Sequence, residues 1–264
     1  MPTSSRLLQA AYPAASESVA KGQLSRTEAL ALSRQFIQHH HPDAIAAYGF
    51  GSAFSDNFRP HSDLDLVIVL PESTALRSRC LIFDGVPIEA HIFGADGIDP
   101  IIHFSRRHGN ATVLLPIAHG EVLVDSHGQA ETIKHRFTAA FAAGPRAADP
   151  RLIDTLRHFV TTQLLDISGG LVPEEALMVA TGVYPSLLQL LFLSSRTWRH
   201  RGKWAVRYGE AIVQDMSAKV AQAYAKAAVG DFEEFLALAV GILDRAGGPL
   251  WAGHEEELVL QKGR

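Results

Sequence analysis

The sequence predicts an α+β protein, with an N-terminal unit of strands and helices followed by a C-terminal helical bundle. Three observations predict it. Short apolar runs bounded by Gly, Pro and Asp ("AIAAYGF", "DLDLVIVL" and "LIFDGVPIEAHIF") all lie in the first half of the chain. Composition then changes at "AAGPRAADP", a small-residue stretch holding Gly144, Pro145 and Pro150. Beyond it, apolar residues recur at helical spacing. The expected domains are therefore 1–144, with 1–24 a poorly defined lead, and 145–264.

Taken in order, Ser25 and Glu28 in "SRTE" have capping-box spacing and open a helix that ends in His39-His40-His41 before Pro42. Adjacent helical residues diverge around the axis, so this triplet reads as solvated helix-end residues rather than a ligand set. A short strand follows at 44–50, interrupted by Gly49, and a second at 63–70, closed by Pro71. Residues 81–93 are two apolar runs about Asp84-Gly85, a strong hairpin signal. Asp99 and Pro100 suit the cap and first turn of a helix over 99–108, and residues 120–128 suit a strand running into a turn. In the second half, Leu152, Leu156, Phe159, Leu164 and Ile167 define one helix. A second spans 174–198, apolar almost all round from Leu187 to Leu193, with Pro185 set to kink or break it. Two more fit 208–228 and 231–245.

Composition narrows the function classes. The chain has 264 residues, 47% apolar and 20% charged, as soluble globular domains do. A net charge of −4 argues against broad nucleic-acid binding. Cys80 is the only cysteine, which excludes an intramolecular disulfide and a Cys-rich zinc site. The first residues lack the apolar core of a signal peptide, and no segment reads as approaching a membrane span. The expectation is a cytoplasmic protein with no membrane partner, its oligomeric state open.

Chemistry is concentrated in residues 49–70, "GFGSAFSDNFRPHSDLDLVIVL". Strand alternation points Asp63 and Asp65 the same way, at the head of one of the most apolar runs in the chain. Two carboxylates so placed repel unless a cation or donor groups compensate, and a rigid pair of hard oxygen ligands suits Mg²⁺. The bland reading makes Asp63 a turn cap and Asp65 a solvated strand-entry residue. Gly51-Ser52 follows the preceding strand, where a glycine admits a close ligand and Ser52 offers a hydroxyl and an N–H. It can equally be a plain joint capped by Ser52. Glu89, between Ile88 and Ala90, is costly inside an apolar strand unless paired or metal-bound, and unremarkable if it faces water on an edge strand. Should its strand lie beside 63–70, the three acids converge.

Strand, Gly-Ser, short helix, Asp-x-Asp opening a second strand and an acid on a third together resemble the nucleotidyltransferase superfamily typified by DNA polymerase beta. The nearest likeness is to small bacterial, aminoglycoside-type nucleotidyltransferases. The resemblance covers about residues 25–140, with "SDLDLVIVL" carrying it most closely and "HGEVLVDSHG" similar to the closing strand and turn of the catalytic domain. It implies a mixed sheet with flanking helices. It also implies transfer of a nucleoside monophosphate, from ATP or another NTP, to a hydroxyl of a small molecule or protein. Asp63, Asp65 and Glu89 would be the catalytic and metal residues for two Mg²⁺ ions, with Glu89 also taking the acceptor proton. Gly51, Ser52, Arg59 and Lys203, the last in a "GKWAVR" segment similar to one in related bundles, would bind the nucleotide. Relatives often carry Arg and Gly where this chain has Ser55 and Asp56. That departure motivates the alternative, a weakly active or inactive nucleotide- or partner-binding protein that keeps the fold.

Overall fold

The computed structural model describes residues 6–7, 10–11, 24–55, 62–73, 75–126 and 128–255. Arg59 and Asp56 lie outside them. The chain divides into two compact units, residues 1–106 with 111–143 and residues 107–110 with 144–264. The class is α+β, a mixed sheet with flanking helices in the first unit and helices in the second.

Helix α1 (Arg26–His40) starts at Ser25. Its hydroxyl accepts from the Glu28 amide at 3.2 Å, while the Ser25 amide donates to the Glu28 carboxylate at 2.7 Å, completing the capping box. The histidines at its end are not all solvated as expected. His40 lies 4.9 Å from the Phe36 ring and 5.6 Å from that of Phe83, because the β-hairpin brings Phe83 against the last turn. Burial holds the His40 and His41 imidazoles below their ordinary pKa, with Arg79 adding to the effect.

The sheet comprises β1 (Ala46–Phe50), β2 (Leu64–Leu70), β3 (Arg77–Phe83), β4 (Val86–Gly94) and β5 (Glu121–Asp125), in the order β3-β4-β2-β1-β5. Only β2 and β4 run parallel. Strand β1 passes through Gly49 without interruption, and the Phe54 ring occupies the space a side chain there would need. Asp84 and Gly85 take φ of 47° and 76°, the doubly left-handed pair that closes a tight hairpin. Strand β3 begins earlier than the apolar pattern indicated, because its first half, Arg77 to Cys80, is exposed edge.

One face of the sheet (Ala47, Leu64, Leu66, Ile68, Ile88 and Ala90) buries against Ala29, Leu32, Phe36 and Ile37 of α1. The other face is covered by α3 (Leu114–His119) and α4 (Gln129–Ala142), which follow α2 (Ile98–His108). There the Tyr48 hydroxyl donates to the Ala130 carbonyl at 2.7 Å, and the Phe93 and Phe137 rings lie 6.4 Å apart. Tyr48→Phe should therefore cost on the order of 1 kcal/mol, read as a lower denaturation midpoint with an unchanged m-value. Helix α2 starts one residue before the expected cap, and Asp99 pairs instead with Arg136.

The second unit holds α5 (Pro150–Ser168), α6 (Pro173–Ser194), α7 (Gly202–Gly209), α8 (Met216–Ala227) and α9 (Glu233–Arg245). Leu156, Leu164 and Ile167 of the expected set lie in the buried stripe of α5 together with Val160, whereas Leu152 and Phe159 are exposed. Helix α6 continues through Pro185, and Leu187, Leu188, Leu190, Leu191, Phe192 and Leu193 are all buried in the unit's core. By length and composition alone α6 is apolar enough to cross a membrane (22 residues, with an 18-residue window of mean hydropathy 1.7), which corrects the expectation that no segment approaches a span. Half of that window is buried inside the protein, as in a core helix. The single helix expected over 208–228 is two, separated by a turn in which Asp215 takes φ 58°.

His200 stacks on Tyr208 with ring centroids 3.8 Å apart, and burial pulls its pKa down to about 4. A histidine kept neutral in the native state binds more protons when unfolded, so stability should fall as pH drops from roughly 6.5 towards 4. His200→Phe should flatten that slope in thermal melts taken across the window.

Candidate metal centre

The centre is built at one end of the sheet. Parallel pairing sets Asp65 opposite Glu89 on neighbouring strands, and antiparallel pairing sets Phe50, the last residue of β1, opposite Asp65. Asp63 immediately precedes β2. By alternation Asp65 shares its face with Val67 and Val69, and Val67 pairs with Tyr48, so the acids lie on the face that α3 and α4 cover farther along. The apolar run thus buries the strand, and its entrance carries the charge.

Asp63, Asp65 and Glu89, all half-buried, each offer a carboxylate oxygen, and these oxygens lie within 4.8 Å of one another. Among the described residues this is the only such group of three or more metal-ligating side chains. Its donors are all hard oxygens, which favours Mg²⁺ or Mn²⁺ over a thiophilic ion. Octahedral magnesium at ~2.1 Å places cis oxygens about 3.0 Å apart and trans oxygens about 4.2 Å apart, so oxygens within 4.8 Å of one another are near enough for side-chain adjustment to bring them onto a shared ion. The residues present fit a divalent cation.

Gly51 forms the joint beside the acids. Its φ of 90° and ψ of −163° fall in a region that essentially only glycine adopts, and a Cβ there would overlap the Asp65 carboxylate. The short helix after it is a single 3-10 turn, Ser52–Phe54. Ser52 donates to the Ser62 hydroxyl at 3.0 Å, joining this turn to the residue before Asp63. Ser55 turns its hydroxyl back towards the Gly51 and Ser52 carbonyls at 3.4 Å and 3.3 Å.

Three neighbours complete the surroundings. The His91 Nε2 lies 3.9 Å from the Glu89 carboxylate, so this histidine, which packing alone would explain, also borders the centre. Cys80 pairs in register with Glu89, and burial together with the charges of Glu89 and Asp63 pushes its thiol up. Glu121 starts β5 at the same end of the sheet but is paired with Arg26. Sequence reasoning passed over Ser62 and Arg26. Ser62 stands directly before Asp63, whereas Arg26 lies 28 residues from its partner Phe54 and leaves no local signal.

Lys203 stands in the second unit, in the first turn of α7, with its ammonium 5.7 Å from the Trp204 ring centre and Arg207 at 5.0 Å. The structure thus brings together Gly51, Ser52, Asp63, Asp65 and Glu89 in one unit. Lys203 belongs to the other.

Compared by sequence, the chain matches no protein-family profile and no curated protein. Among solved structures it is similar to a nucleotidyltransferase-like protein from Exiguobacterium sibiricum, with 11% identity over 83% of this chain and 74% of that one, at a TM-score of 0.41.

Proposed function

We propose that the protein is a metal-dependent nucleotidyltransferase. It would move a nucleoside monophosphate, AMP from ATP in the first instance, to a hydroxyl of a small molecule or a protein, with release of pyrophosphate. The observation that carries this reading is the convergence of Asp63, Asp65 and Glu89 within 4.8 Å beside the Gly51-Ser52 turn. Three half-buried carboxylates repel one another, and a bound divalent cation would turn that repulsion into attraction.

Asp63 and Asp65 would hold Mg²⁺ against the triphosphate, and Glu89 would complete a second position. Bound magnesium supplies neutralisation of the leaving oxygens and a lowered pKa for the acceptor hydroxyl. The Ser52 hydroxyl and the amides of its turn hold the terminal phosphates. The acceptor oxygen bonds to the α-phosphorus, the bond to the bridging oxygen breaks, and pyrophosphate leaves with the electron pair. Glu89 takes the acceptor's proton. The chain contributes position and charge rather than covalent chemistry. Ser52→Ala should raise the Kd for a nucleotide about fivefold, as loss of one hydroxyl contact does, measured by titration of a fluorescent ATP analogue. Lys203→Ala in the same titration tests the assignment of Lys203 to the nucleotide, which rests on resemblance alone.

The test of the reaction is incubation with Mg²⁺ and α-labelled ATP over a panel of hydroxyl acceptors, with pyrophosphate release as the readout. Labelled product supports the reading. Nucleotide binding without turnover across the panel would instead support a binding protein, the outcome that Ser55 and Asp56 in place of Arg and Gly would then explain.

A further inference from the structure

We infer that Arg26, from the first turn of α1, is the positioning residue that holds the Gly51–Ser55 turn in its binding-competent shape. The inference takes its ligand from the nucleotide reading above. The turn is weakly held by its own bonds. The Ser55 amide reaches the Ser52 carbonyl at 3.4 Å, and the Ser55 hydroxyl contacts are 3.3 Å and 3.4 Å, near the limit for a hydrogen bond. Hydrogen bonds also tie it to other parts of the chain. One is the Ser52–Ser62 hydroxyl pair at 3.0 Å, and a second is the Arg26 Nε donating to the Phe54 carbonyl at 3.2 Å.

The second tie is itself braced. A guanidinium nitrogen of Arg26 pairs with the Glu121 carboxylate at the start of β5, and the capping box at Ser25 and Glu28 fixes the backbone that carries Arg26. A planar guanidinium can hold a carbonyl and a carboxylate in one fixed geometry, which a lysine ammonium cannot reproduce. Because Glu121 neutralises it, Arg26 acts on the turn and not as a free cation for phosphate. This chain thus steadies from a distant helix a turn whose own fourth position after Gly51 is a serine.

The test compares Arg26→Ala, Arg26→Lys and Glu121→Gln in the full chain. Amide hydrogen exchange over residues 51–55 reads the turn, titration with a fluorescent non-hydrolysable ATP analogue reads the ligand, and Mn²⁺ binding by EPR reads the carboxylates. Arg26→Ala should speed exchange at least about fivefold and raise the analogue Kd about tenfold, the scale of one lost charge-assisted hydrogen bond, with Mn²⁺ affinity within about twofold. Glu121→Gln should stay within about twofold on every readout, because the bond to Phe54 survives. Arg26→Lys should fall between. The inference is overturned if Arg26→Ala leaves exchange and Kd unchanged, or if Glu121→Gln reproduces both losses, since the helix-to-strand ion pair would then be what matters. A wild-type chain that binds no analogue defeats the nucleotide reading, and the exchange measurement still decides the role of Arg26.

Discussion

Asp65→Asn is expected to lower nucleotidyl transfer by at least about 10³-fold while leaving the fold intact. The substitution is nearly isosteric, so the pairing of β2 with β1 and β4 persists. What it removes is one charge from a group whose oxygens lie within 4.8 Å of one another. Without metal, that removal also relieves repulsion, on the order of 1 kcal/mol after solvent screening of half-exposed groups. The variant should therefore melt at the same temperature as the parent or slightly above it in chelator, and below it at saturating Mg²⁺, where only the parent gains from the bound ion. Melting curves in chelator and in Mg²⁺, with transfer rates alongside, check both halves. A variant that transfers at the parental rate removes Asp65 from the chemistry.

Gly51→Ala should lose about 10²-fold in transfer and destabilise the first unit by about 1–3 kcal/mol. Two causes combine. The backbone at φ 90° and ψ −163° is strained for any L side chain, and the new methyl would take the place of the Asp65 carboxylate. Either the turn moves or Asp65 swings away from Asp63 and Glu89, and both outcomes spoil the site. Chemical denaturation combined with kinetics separates these effects. If transfer is lost by much more than the stability change accounts for, displacement of Asp65 is the cause. Parental activity in this variant would show that the close approach of Gly51 to Asp65 is unimportant.

The elements that were legible in the sequence are those whose signal is local. Ser25 with Glu28, Asp84-Gly85 and the run after Asp65 each announce a cap, a turn and a strand within a few residues. The three acids could be named as candidates for the same reason, but their convergence depended on β4 lying parallel to β2 with Glu89 opposite Asp65, a long-range pairing that no local pattern encodes. Helix α4 buries Ala130, Ile133, Phe137 and Ala140 at helical spacing, but two of these four are alanines and the helix runs into the small-residue stretch 142–150, so its apolar periodicity is weak. Helix α3 is short and contains Pro116, which argues against a helix locally. His91 adjoins Glu89 by alternation along β4, whereas Cys80 becomes its neighbour only through strand register. Arg26 reaches the Phe54 carbonyl only through the packing of α1 beside the turn.

The most direct measurement is a calorimetric titration of Mn²⁺ into the protein with a non-hydrolysable ATP analogue present, alongside the variant carrying Asp63→Asn, Asp65→Asn and Glu89→Gln together. The account predicts saturable binding of two ions by the parent and none at these positions in the variant. A parent that takes up no ion, or a variant that binds as the parent does, would contradict it.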